Sequence, residues 1–278
     1  MHELVLQWYE ENKRDLPWRN TTPWGVMVSE FMLQQTPVNR VLPIWQEWIL
    51  RWPTPGDLAT TKRSEVITAW GRLGYPRRAL RLHESAISIT ERFESQVPSE
   101  LELLRSLPGV GEYTAAAISA FAFNRSVLVL DVNIRRLFSR VIDGEQYPKS
   151  TISQEERRLR SAIIPINGAL WAAATMEFGA LICTSKKPSC GECPLKEECL
   201  WRQLGYPESE FTRKSQAWEG TDRQCRGVIV QALREKNKLI RITISSLWSD
   251  ESQIEKALMT LIADGLIETT GNSYRFPN

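Results

Sequence analysis

A chain of 278 residues, 42% hydrophobic and 24% charged, can bury the core of one large or two modest domains and is not a disordered polymer. Its net charge of +2, balanced on both sides of Pro207, leaves nucleic-acid binding to be argued from local features. No run approaches the roughly 18 apolar residues of a membrane span, and the N-terminal MHELVLQWYEENKRD lacks a signal-peptide core, so a cytoplasmic, non-membrane protein is expected.

From Glu3, the spacing of Leu4, Val5, Trp8 and Tyr9 predicts a short amphipathic helix that ends at Asp15, Leu16 and Pro17. The loop LPWRNTTPWG follows, where Arg19, Trp18 and Trp24 either line a pocket or anchor the loop. Of the 11 tryptophans, Trp18, Trp24, Trp45, Trp48, Trp52 and Trp70 crowd the first quarter, which suits a core better than base stacking. In VMVSEFML, apolar residues surround Glu30. Burial there disfavours its ionised form, as a general acid near neutral pH requires. Gln34, Gln35, Thr36 and Pro37 close that run, and a second aromatic helix extends from Val38 to Trp52. WGRLGYPRRALR places a glycine-rich turn ahead of Arg77, Arg78 and Arg81, which suits phosphate contacts or a solvated helix face.

Residues 107–131, LPGVGEYTAAAISAFAFNRSVLVLD, are the centre of the chain. Pro108, Gly109 and Gly111 break helix, and an alanine-rich helix follows, so the turn is a helix-hairpin-helix pattern. Without a Cβ at Gly109 and Gly111, backbone N–H groups at the next helix start can approach an anion such as a nucleic-acid phosphate. The same pattern also serves as a plain turn between packed helices. Asp131 follows an apolar run and precedes a helical IRRLFSRVI, as an N-cap would. Two more helices are predicted at 155–164 and 169–181.

Cys183, Cys190, Cys193 and Cys199 form a C-x6-C-x2-C-x5-C pattern. In a reducing compartment such clustering points to a metal site, either tetrahedral zinc or an iron–sulfur cluster. Lys186 and Lys187, between the first two cysteines, would face a phosphate backbone if the loop is held rigid. Cys225 lies apart, as a small buried apolar residue. After a linker at 207–222, helices at 223–235 and 252–264 and two strands around Gly271 and Asn272 predict a small α+β, winged-helix-like domain.

The ordered set LPWR, SEFMLQQT, LGY, LPGVGEYTA, LDVNIRR and the four cysteines resembles the iron–sulfur DNA glycosylases of the helix-hairpin-helix superfamily, the endonuclease III and MutY group, over about residues 1–206. SEFMLQQT is similar to its adenine-excising branch. The resemblance implies a mainly α, two-lobed fold: a six-helix domain at 22–125 carrying the hairpin, and an iron–sulfur domain from 1–21 and 126–206. It further implies that Cys183, Cys190, Cys193 and Cys199 bind one 4Fe–4S cluster, and that a monomer bends double-stranded DNA and flips adenine, mispaired with 8-oxoguanine or guanine, out of the helix. By the same resemblance Glu30 protonates the base, Asp131 stabilises the sugar cation, and Tyr113 stands where lyase-active relatives carry a Schiff-base lysine. A phenol forms no imine, so a monofunctional enzyme is expected. Arg19, Asn133 and Glu177 fall on pocket positions, and Gln35 on a residue inserted near the lesion.

Val132 replaces the usual glycine after the aspartate, Pro76 replaces a second aromatic in LGYY, and the C-terminus is too short for a MutT-like domain. A thymine (T:G) mismatch glycosylase and an endonuclease III-like pyrimidine glycosylase are alternative enzymes; a non-catalytic DNA-binding protein is the alternative of another class. The pair Glu30 and Asp131 argues against the last.

Overall fold

Helical spacing of apolar residues dominates the chain, and helix is what forms. The computed structural model describes residues 1–209 and 218–278. Of the expected linker at 207–222, residues 210–217 lie outside the described residues. In chain order the helices are α1 (His2–Asn12), α2 (Pro23–Leu33), α3 (Val38–Arg51), α4 (Pro55–Ala59), α5 (Arg63–Ala69), α6 (Arg77–Arg92), α7 (Leu101–Arg105), α8 (Glu112–Phe123), α9 (Val132–Phe138), α10 (Gln154–Ser161), α11 (Gly168–Leu181), α12 (Leu200–Gln203) and α13 (Asp222–Lys236). Strand β1 (Lys238–Ile240), α14 (Arg241–Ser245), α15 (Glu251–Ala263), β2 (Glu268–Thr270) and β3 (Ser273–Arg275) complete the chain. No helix among the described residues is long and apolar enough to cross a membrane.

Side-chain caps mark several of these starts. Thr54 and Asp57 form a capping box on α4, Ser153 accepts from the Glu156 N–H, Thr221 from Gln224 and Asp250 from Gln253. Each cap contributes about 1 kcal/mol.

The described residues divide into two compact units. One comprises Met1–Val26, Ser99–Arg105 and the described part of Val110–Arg213. Its core gathers α1, α8, α9 and α11 around Val5, Tyr9, Ala117, Ile134, Leu137, Trp171 and Phe178. The other comprises Met27–Pro98, Ser106–Gly109 and the described part of Lys214–Asn278. There Trp48 packs edge-on against Trp52 and Trp70, with ring centroids at 4.8 and 5.4 Å. Trp18, Trp24, Trp45, Trp48, Trp52 and Trp70 are all buried, so these rings are core, as their crowding predicted.

The C-terminal residues join this second unit. Ile67 of α5 and Leu80 of α6 lie in one apolar cluster with Ile229, Leu233, Ile254, Leu258 and Phe276. The strands form an antiparallel sheet in the order β1-β3-β2, and Thr270 pairs with Ser273, leaving Gly271 and Asn272 as a two-residue loop. This α13-β1-α14-α15-β2-β3 order is winged-helix-like. The sequence reading lacked β1 and α14, because three residues of strand and five of helix are too short for their periodicity to stand out.

Candidate active site and iron–sulfur loop

Glu30 lies on α2, in the second unit, and is 6% exposed among the buried Met27, Val28, Ser29 and Phe31. A helix that is apolar on nearly every side carries the acid into the interior. Asp131 lies in the first unit and caps α9: its Oδ1 accepts from the Ile134 N–H at 2.6 Å and its Oδ2 from Asn133 Nδ2 at 2.7 Å. Burial pushes the Asp131 carboxyl up from the usual 3.8, against the pull of these hydrogen bonds and of the nearby Arg136.

Asn133 is itself held. Arg136 Nη2 donates to its Oδ1 at 2.8 Å and to the Gly179 carbonyl at 2.6 Å, while Arg136 Nε donates to the Cys183 carbonyl at 2.7 Å. One buried guanidinium thus links the Asp131 cap to the start of the cysteine loop. Gly179 makes room for this packing, since a Cβ there would sit 2.7 Å from the Asn133 carbonyl oxygen.

Glu177 is 3% exposed on α11. Burial alone would raise its carboxyl, but Arg14, bonded through its backbone N–H (2.9 Å), Nε (2.8 Å) and Nη2 (2.6 Å), and Arg19, at 3.2 Å, hold it below the usual 4.5. Arg19 also donates to the Arg14 carbonyl and lies over the Tyr9 ring. The structure therefore brings Arg19 and Glu177 together in one ion cluster. Tyr113, on the first turn of α8, is half-buried against the first unit's core.

At the hairpin, Gly109 has φ +78°, and a Cβ would meet Arg81 Cβ at 2.7 Å. Gly111 is the N-cap of α8, and a Cβ there would meet nothing within 4 Å. Among the arginines expected on phosphates, Arg77 pairs with Asp264, Arg81 with Glu84, and Arg78 is turned inward onto backbone carbonyls.

Cys183, Cys190, Cys193 and Cys199 line one pocket together with Arg140 and Trp201. Among the described residues, no three His, Cys, Asp or Glu side chains converge as a single ion would require. Four thiols lining one pocket are the donor set of a thiolate-held metal centre. Burial pushes the free Cys193 thiol up to about 11 and raises Cys183 as well, so metal binding would drive their deprotonation. Arg140 lies in a π-helical turn at Ser139–Asp143 and fixes the loop: it donates to the Thr184 carbonyl (2.7 Å), the Ser185 carbonyl (3.1 Å) and Cys183 Sγ (3.4 Å). Lys186 and Lys187 are exposed on this braced loop, as the phosphate reading requires.

The sequence reading missed Arg14, Arg136, Arg140, Gly179 and the inward role of Arg78. The spacing of Asn133 and Arg136 on one helix face was the one available signal.

Residues 28–161 match the helix-hairpin-helix (HhH-GPD) superfamily of base excision DNA repair proteins, and residues 183–199, from the first cysteine to the fourth, match the iron–sulfur binding domain of endonuclease III. A thermostable thymine-DNA glycosylase superposes with a TM-score of 0.66 at 26% identity, covering 72% of this chain and 94% of that one. Endonuclease III in a non-covalent DNA complex superposes with a TM-score of 0.63 at 19% identity, covering 73% and 94%, and shares the fold. The class is therefore that of the helix-hairpin-helix DNA glycosylases with one 4Fe–4S cluster as cofactor.

The adenine DNA glycosylase of Mycolicibacterium smegmatis is 44% identical over 275 residues, spanning 96% of this chain and 92% of the relative, so the match includes the C-terminal region. The human adenine DNA glycosylase is 39% identical over 211 residues, 72% of this chain and 39% of the relative. The chain belongs to the MutY-type adenine DNA glycosylases.

Proposed function

We propose that the chain is a monofunctional glycosylase that hydrolyses the N-glycosidic bond of adenine mispaired with 8-oxoguanine or guanine in double-stranded DNA, acting as a monomer. The observation that carries this reading is the pair of buried carboxylates: Glu30 on the apolar helix α2, Asp131 fixed by hydrogen bonds at a helix cap. The identity to adenine glycosylases supports the choice of base.

In this reading Glu30, as the acid, gives its proton to N7 of the flipped adenine. The C1′–N9 bond breaks with its electron pair going to the base, and the Asp131 carboxylate stabilises the positive sugar. Water then adds at C1′ and its proton returns to Glu30, leaving free adenine and an abasic site. Tyr113 supplies no amine, so no imine forms and the strand is left intact. Arg19, Asn133 and Glu177 shape the pocket: Asn133 orients Asp131, while Arg19 and Glu177 set the wall through Arg14. Gln35 enters the duplex near the lesion. Gly109, Gly111, Lys186 and Lys187 meet phosphates. The cluster, bound by Cys183, Cys190, Cys193 and Cys199, supplies no bond-making step; it stiffens the loop that carries the two lysines.

The test is single-turnover base release from duplexes holding adenine opposite 8-oxoguanine, adenine opposite guanine and thymine opposite guanine. Adenine release that Glu30→Gln abolishes, with DNA binding retained, supports the assignment. Thymine release would move the chain to the mismatch thymine reading.

A further inference from the structure

In the winged-helix-like order, α14 and α15 follow one another as in a helix-turn-helix, whose second helix ordinarily enters the major groove of DNA. Here that helix is ill suited to the task. Glu251, Glu255, Met259 and Ile262 are spaced to share one exposed face of α15; the two carboxylates pair with Arg241, and Met259 and Ile262 are 69% and 42% exposed. Lys256 of α15 is paired with Asp222. The loop between β2 and β3 is formed by Gly271 and Asn272, neither of them a cation. Carboxylates and methyl groups offer no partner to a phosphate chain.

The opposite holds at α13. Its Ile229 and Leu233 pack in one cluster with Ile67 of α5 and Leu80 of α6, and Arg234 Nε donates to the Ile67 carbonyl at 3.3 Å. That packing sets the first turn of α13 beside the turn before α6. Arg223 Nη1 donates to the Tyr75 hydroxyl at 3.0 Å, and the guanidinium lies 5.0 Å from the ring centroid of the exposed Trp218. Asp264 is shared between Arg226 of α13 (2.6 Å) and Arg77 of α6 (3.2 Å), so one carboxylate answers two guanidiniums. The exposed Arg40 donates to the carbonyl of the exposed Arg72, and burial together with the Arg72 charge draws Arg234 down to about 10. Cations gathered in this way repel one another in the free protein, and a polyanion relieves that repulsion. Arg78 ties this ridge to the turn that carries Gln35: its Nη1 donates to the Gln34 carbonyl (2.7 Å) and its Nη2 to the Gly74 carbonyl (3.0 Å).

We propose that the C-terminal residues meet the duplex through the first turn of α13, with Arg223 on a backbone phosphate, and that α15 faces away from the DNA. The inference rests on the glycosylase reading above, which places Gln35 in the duplex. A phosphate contact carries no sequence information, so α13 adds affinity for any duplex and leaves the choice of mispair to other residues.

The experiment is equilibrium binding of the full chain, over a range of salt, to a duplex holding 2′-fluoro-2′-deoxyadenosine opposite 8-oxoguanine, which the fluorine protects from cleavage, and to a fully matched duplex. Arg223→Gln is expected to lower the slope of log affinity against log salt by about 0.9, the share of one phosphate, and to weaken both duplexes about eightfold at about 0.1 M salt. Tyr75→Phe, which removes the hydroxyl that Arg223 holds, and Met259→Lys, which adds a cation to α15, are both expected to keep the slope. An unchanged slope in Arg223→Gln would overturn the proposal. So would an equal loss in Tyr75→Phe, which would make Arg223 a brace for Tyr75, or a steeper slope in Met259→Lys, which would set α15 against the DNA. If Arg223→Gln does not fold, Gly227→Lys, one turn along the same face of α13, must steepen the slope. No binding of the unaltered chain to either duplex would overturn both readings; salt-dependent binding that Arg223→Gln leaves unchanged overturns only this one.

Discussion

Gly179→Ala separates helix propensity from the geometry of the Asp131 cap. Inside a helix alanine is about 1 kcal/mol better than glycine, so propensity alone predicts a more stable protein. The packing predicts the opposite. A Cβ on Gly179 would lie 2.7 Å from the Asn133 carbonyl oxygen and 2.9 Å from both its carbonyl carbon and its Cβ, where ordinary contact begins at 3.4 Å. The start of α9 must therefore retreat by about 0.7 Å, the difference between 3.4 and 2.7 Å. Overpacking of this kind costs about 1–3 kcal/mol, leaving a net loss of up to about 2 kcal/mol after the gain in propensity. Asn133 holds Asp131 Oδ2 at 2.7 Å, so the aspartate moves with it. A displacement near 1 Å costs about 10²-fold in rate, and single-turnover adenine release should fall by roughly 10- to 100-fold while the cluster's visible absorption is kept. Gly227→Ala is the control: it also lies inside a helix, but its nearest atom is Trp218 Cη2 at 3.9 Å, so it should stabilise by up to about 1 kcal/mol. A Gly179→Ala protein that melts higher and turns over normally would refute the argument.

Cys193→Ser should abolish the iron–sulfur absorption and lower the melting temperature, because the loop loses the cross-link that metal binding supplies to the fold; Cys225→Ala should leave the absorption unchanged, since Cys225 lies in the other unit. Asp131→Asn keeps an N-cap but sets an amide against Asn133 Nδ2, and excision should fall on the order of 10³-fold. Because burial raises Asp131, the acid limb of the excision profile should lie above the ordinary 3.8. Stability should fall with acid in two windows, read from urea midpoints against pH. Burial pulls His83 below its ordinary 6.5, so the unfolded chain takes up a proton first and stability drops as pH falls below 6.5, a slope that His83→Leu removes. Glu177 is held below 4.5 by Arg14 and Arg19, so its contribution is present above 4.5 and lost as pH falls through its folded value, a loss absent in Glu177→Gln.

What was legible in the sequence were residues whose type is costly in their setting. A glutamate inside VMVSEFML, four cysteines in one short segment, and glycines opening an alanine-rich helix each contradict the ordinary preferences of their neighbourhood, and contradictions of that kind concentrate at functional sites. Long periodic helices were legible for the reason that their burial is one-sided and repeats. The arginines were not. Arg78 read equally as a phosphate contact or part of a solvated face, and Arg14, Arg136 and Arg140 went unmarked, because an arginine's role depends on which carbonyls tertiary packing leaves to it: those of Phe31 and Gly74 for Arg78, of Gly179 and Cys183 for Arg136, of Thr184 and Ser185 for Arg140.

Such arginines do related work in this protein. Asp131, Gln35 and the loop of Lys186 and Lys187 all lie where helical hydrogen bonding ends: at the N-cap of α9, beyond the last turn of α2, and in the loop after α11. Helix ends expose the backbone groups that catalysis and DNA binding draw on, and the same exposure leaves carbonyls to be satisfied. A planar cation with five donors can collect several of them at once, where a lysine would collect fewer in less fixed directions. The residues proposed for catalysis and DNA binding and their guanidinium braces therefore follow from one structural need, and a lysine at position 78, 136 or 140 should keep the charge while loosening the geometry.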